Sequence, residues 1–90
     1  MKTVTITTSI TVVAAKDIDR AMLHVHNNSA TVTAYLEYDG MGGTLTAANG
    51  FPLAPGATLL LDNDGRKRIF NHGMNAITAS GTVDLRVQGD

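Results

Sequence analysis

The sequence contains no cysteine and no tryptophan. The first absence excludes disulfide scaffolds, thiolate zinc sites and cysteine nucleophiles. Aromatics are scarce as well, at 4%: Tyr35, Tyr38, Phe51 and Phe70. That supplies little for a stacking platform under single-stranded nucleic acid or for an aromatic sugar-binding cleft. Neither charge is in excess, since seven basic residues against eight acidic ones give a formal charge of -1. A dedicated nucleic-acid binder needs a basic surplus, so no nucleic-acid partner is expected. No apolar run reaches the roughly 18 residues of a membrane span, so no membrane partner is expected either.

What is present is alternation. Thr3, Thr5, Thr7, Ser9 and Thr11 take the odd positions of the first stretch, and Val4, Ile6, Thr8, Ile10 and Val12 take the even ones. This period of two predicts a strand over 3–13 with one hydroxyl face and one largely apolar face. Met1-Lys2, the uncharged run and Val13-Ala14-Ala15 mimic a short signal peptide, but the hydroxyls and the strict alternation favour the strand. After a charged turn at Lys16–Asp19, residues 20–26 predict a second strand, with Leu23 and Val25 on one face and Met22, His24 and His26 on the other. Asn27-Asn28-Ser29 predicts a turn. A third strand follows over 31–38, and the three together suggest an antiparallel meander.

The stretch from Asp39 to Gly50 is glycine-rich and irregular. Beyond it, Phe51 to Leu53 is extended and Pro55-Gly56 predicts a turn. Residues 57–62 and 66–70 form further strands. Met74 to Ala79 and Thr82 to Val87 suggest a final hairpin across Ser80-Gly81, with Val83, Leu85 and Val87 facing in. The sum is an all-β chain: one small antiparallel β-sandwich or barrel of about seven short strands spanning residues 1–90. At 90 residues its core is marginal, and association with further copies would help it.

Chemistry-bearing clusters are few. His24 and His26 share a strand face, and His72 could add a third imidazole, so these three are the metal candidates. An isolated H-x-H pair with little acidic residue around it is more simply a solvated face, and no metal or other cofactor is expected. Asp39-Gly40-Met41-Gly42-Gly43 lacks the Lys-Ser/Thr and the following helix of a phosphate loop. Ser9, Ser29 and Ser80 lack a nucleophile-elbow setting, and Glu37 is the only glutamate. No catalytic constellation emerges, and the chain is not expected to be an enzyme. Arg66-Lys67-Arg68 is the single basic cluster; Arg66 and Arg68 project to one side, by default as a solvated hairpin tip and, as the functional alternative, toward an acidic protein surface.

The order of short motifs carries a resemblance. Arg20, Leu23, Val25, Asn27 and Ser29 follow the pattern R-x-x-L-x-I-x-N-x-S, with valine at the isoleucine position. Leu53-Ala54-Pro55-Gly56 follows L-x-P-G. Gly73 to Gly81 is similar to I-x-A-x-x-x-S-G ahead of a last strand, more loosely, because Ala76 and Ala79 flank Ile77 and Thr78. Across residues 20–88 the chain resembles small virion proteins of tailed bacteriophages.

That resemblance implies a β-sandwich made in the bacterial host cytoplasm and located in the virion. Its implied role is structural: a capsid decoration or cement protein bound to the major capsid protein or another virion protein. A homo-oligomer is expected, with a trimer favoured because decoration proteins often occupy symmetry axes. The alternative is a tail-associated receptor- or carbohydrate-binding module. The residues expected at the interface are Thr3, Thr5, Thr7, Ser9 and Thr11, on a strand with no charge between Lys2 and Lys16, together with Arg66 and Arg68. An edge strand without charge, proline or bulge is prone to pairing, so residues 1–15 serve either as an interior strand or as an assembly arm.

Overall fold

The structure, a computed structural model, describes residues 1–16, 22–38, 44–62 and 73–89. These residues form eight strands: β1 (Lys2–Ile6), β2 (Thr11–Ala14), β3 (Met22–Asn27), β4 (Ala34–Tyr38), β5 (Phe51–Leu53), β6 (Thr58–Asp62), β7 (Met74–Ile77) and β8 (Val83–Gly89). Two four-stranded sheets result, with the orders β1-β8-β3-β6 and β2-β7-β4-β5. Every strand pair is antiparallel.

The pairings have a simple rule. β1 pairs with β8, β2 with β7, β3 with β6, and β4 with β5. The chain is thus one long hairpin with its tip between β4 and β5. Wrapping that hairpin brings β8 against β3 and β7 against β4. This is the jelly-roll form of the β-sandwich. Every connection except that between β4 and β5 passes from one sheet to the other.

The core lies between the sheets. Ile6, Leu23, Val25, Val83, Leu85 and Val87 come from the first sheet, and Val13, Ala34, Leu36, Leu53, Met74 and Ala76 from the second. Period-two alternation produces this directly: along β3 and β8 the buried residues are every second one. Each fully buried aliphatic side chain contributes about 1.5–3 kcal/mol.

Several expectations need correction. Residues 3–13 are two strands in different sheets, joined by a crossing at 7–10. Ile6 is buried, but beyond the crossing Ile10 and Val12 are 46% and 60% exposed while Val13 is buried. The inward parity resets because the second sheet faces the core from the opposite side, and a register shift between Val12 and Ala14 adds a bulge. The meander is absent, since β3 lies between β8 and β6 and β4 lies between β7 and β5. The hairpin across Ser80-Gly81 is likewise a corner between sheets. Gly81 adopts φ +72° there, and the Thr78 hydroxyl donates to the Gly81 carbonyl at 2.8 Å. Ile77 faces outward beside Tyr35, and Met74, Ala76 and Thr78 are the buried residues of that stretch. The expected strand at 66–70, the glycine-rich loop at 39–43, Arg66, Arg68 and His72 lie outside the described residues.

Candidate assembly surface

Asn27, Ser29, Leu53, Gly56 and Gly81, from the three motifs of the virion-protein resemblance, meet at one end of the sandwich, and Arg20 lies outside the described residues. Asn27 closes β3 and is fully buried. Its amide nitrogen donates to the carbonyls of Val32 (2.9 Å) and Leu53 (2.8 Å), and its Oδ1 accepts from the Ser29 amide (2.9 Å). The Asn27 backbone amide donates to Ala57, and its carbonyl accepts from Gly56, which has φ +77°. Ser29 Oγ accepts from the amides of Thr31 and Val32. The N-x-S and L-x-P-G motifs therefore interlock around one side chain, and both of its N–H donors are used. The third motif packs alongside: a Cβ at Gly81 would meet Val32 Cγ2 at 3.9 Å, and the Asn28 amide donates to the Asp84 carbonyl. These polar groups satisfy one another, and the node is structural.

His24 and His26 do share a face, the outer face of the first sheet. One row across that face reads Thr3, Arg86, His26, Thr58, and the next reads Gln88, His24, Leu60. His26 Nδ1 lies 2.8 Å from Thr58 Oγ1. Arg86 stands directly beside His26, and a guanidinium there opposes a bound cation. Among the described residues no group of three or more His, Cys, Asp or Glu side chains could hold a metal ion. The Arg86 Nε is buried, without a hydrogen-bond partner among the described residues.

The five N-terminal hydroxyl residues do not form one flat face. Thr3 and Thr5 are exposed on the outer side of β1, and the Thr5 hydroxyl donates to Asp84 Oδ1 at 3.1 Å. Thr7 and Ser9 build the crossing: the Ser9 amide donates to Thr7 Oγ1, and the Thr7 carbonyl accepts from the Thr78 amide. Thr11, on β2, donates its hydroxyl to the Ser9 carbonyl and sits opposite buried Ala76. The segment supplies an edge strand to both sheets.

A concave region is lined by Leu36, Glu37, Tyr38, Phe51, Leu59 and Met74. Phe51 is exposed there, and burial raises the Tyr38 phenol above its ordinary value of 10.0. Over the outer face of the second sheet, Leu45 is buried next to Gly50, where a Cβ would come 2.7 Å from Tyr35 Cβ and 2.9 Å from Leu45 Cδ1. Asn49 holds this turn through the Thr46 amide and the Thr44 carbonyl.

Sequence reasoning missed the buried role of Asn27, the plug at Leu45 and the position of Arg86 between two strands. Asn49-Gly50 is a turn signal that marks the second of these. Among the described residues no helix is long and apolar enough to cross a membrane. No protein-family model, curated protein or solved structure matches the chain.

Proposed function

We propose that this chain is a structural virion protein, a decoration or cement protein of a tailed-phage head. In this reading it is made in the bacterial cytoplasm, assembles as a homo-oligomer and binds the major capsid protein by protein–protein contacts. The observation that carries the reading is the node at Asn27. Two of the three motifs that resemble those of small tailed-phage virion proteins, far apart in the chain, interlock here at one sandwich end, and the third packs alongside. A resemblance confined to turn residues without such contacts would carry less weight. The jelly roll adds support by analogy, being a frequent architecture of viral capsid domains, though lectins and cupins use it too. Mass spectrometry and cryo-microscopy of purified particles test the proposal. A head-bound chain at high copy number is the expected result, and its absence from intact particles overturns it.

A second reading, a tail-associated carbohydrate- or receptor-binding module, rests on the exposed Phe51 beside Tyr38 and Glu37. Glycan-array binding abolished by Phe51→Ala, with density at the tail, would favour it over the first.

A further inference from the structure

We propose that β1 is the seam of a two-fold homodimer, in which the β1 edges of two copies pair antiparallel and join two four-stranded sheets into one of eight strands. β1 ends its sheet, and no hydrogen bond among the described residues runs from its far side. Its five residues pair regularly with β8 from Lys2 to Ile6. The edges of the second sheet differ: β2 carries a bulge, and β5 has three residues including Pro52. Bulges, prolines, short length and charge are how sheet edges avoid pairing, and past Lys2 β1 has none of them.

The occupant is a second copy because β1 is complementary to itself. With Val4 opposite Val4 of the second copy, Thr3 faces Thr5 and Lys2 faces Ile6. The two Lys2 residues then stand about 14 Å apart along the strand direction. Arg86 is opposite Thr3 and Asp84 is opposite Thr5 within each chain. Each row across the seam therefore reads Arg86, Thr3, then Thr5 and Asp84 of the second copy, with opposite charges at its ends. Two Thr–Thr pairs at the centre are favourable cross-strand partners. Pairing adds roughly four to six backbone hydrogen bonds. A two-fold contact closes, whereas pairing β1 with the β6 edge of another copy would propagate as a filament. The product is a dimer, in place of the trimer that a symmetry-axis position favours. It depends on the chain alone and not on its place in a virion, so sedimentation tests it separately from particle analysis.

The test is a charge-exchange series on the full chain. T3K/T5K places two lysines opposite each other in both rows, and T3E/T5E does the same with glutamates. Wild type should sediment as a dimer at high micromolar concentration. Each double variant should remain folded by circular dichroism and lose self-association about tenfold or more. An equimolar mixture of the two variants should restore a heterodimer by native mass spectrometry, which a misfolded variant could not do. A wild-type monomer or trimer overturns the proposal, as does a dimer indifferent to both variants or a mixture that gives no heterodimer.

Discussion

The side-chain amide of Asn27 donates to the carbonyl of Leu53 at 2.8 Å, joining the last residue of β3 in one sheet to the last residue of β5 in the other. Sandwiches are held mainly by interleaved apolar side chains, which have no directional preference. A fully buried amide with three partners adds direction: it sets where the chain leaves one sheet and enters the next. Its cost if broken is high, because each orphaned partner is left away from water.

Asn27→Ala should therefore destabilise the fold by about 2–4 kcal/mol, measured by urea unfolding. Asn27→Asp keeps the shape and loses both donors, turning a carboxylate toward two carbonyl oxygens. Burial raises the folded-state pKa of such an acid above its unfolded value. The variant should then be most stable at acidic pH and weaken as pH rises, the sign expected when the folded state binds more protons. A variant as stable as wild type at neutral pH would remove the node from the account of the fold.

Two glycines should fail for different reasons. At Gly56 a Cβ meets nothing within 4 Å, so Gly56→Ala pays only for φ +77°, about 1 kcal/mol. At Gly50 the obstacle is space, with Tyr35 Cβ at 2.7 Å and Leu45 Cδ1 at 2.9 Å. Gly50→Ala should displace Leu45, and Leu45→Ala made in that background should cost much less than it does in wild type. Additive losses in this double-mutant cycle would show that the two positions are not coupled.

The strand faces were legible because burial follows alternation: Leu23 and Val25, and Val83, Leu85 and Val87, face inward as their spacing predicts. Gly56 and Gly81 were legible as turn residues, and both have positive φ. The partition into sheets was not. A hairpin and a sheet-to-sheet corner both place a few polar residues between two alternating runs, and the choice is made by long-range partners. The Thr78 amide reaching the Thr7 carbonyl, and Asn27 reaching Leu53, are contacts that no local window contains. The outward face of Ile77 was hidden for the same reason: both faces of β7 carry apolar residues, so hydropathy alone does not orient it. On the outer face, the pairing of His24 with His26 was legible from spacing, but Arg86 beside them was not, being some 60 residues away in sequence.

Alkaline pH offers an independent check on the region around Tyr38. Its phenol is raised above 10.0 by desolvation, so the folded state favours the protonated form. That contribution to stability is fully present below the unfolded value of 10.0 and is lost as pH rises through the folded value. The urea midpoint of wild type should fall across this range, and Tyr38→Phe should blunt the fall. Parallel curves for the two proteins would contradict the assignment.

Lysine substitutions at adjacent positions of β2 test the reset of parity at the crossing. If the alternation of β1 continued unbroken from Ile6, Val12 would face the core and Val13 would face solvent. The structure has the reverse, with Val12 60% exposed and Val13 3%. Val12→Lys should change stability by about 0.5 kcal/mol or less, as surface substitutions do. Val13→Lys forces an ammonium toward Met74 and Ala76, which pair with β2, and should cost several kcal/mol or prevent folding. The order of the two effects decides the matter. If Val12→Lys proves the more damaging, residues 3–13 run as one continuous strand, and both the crossing and the dimer seam beside it are wrong.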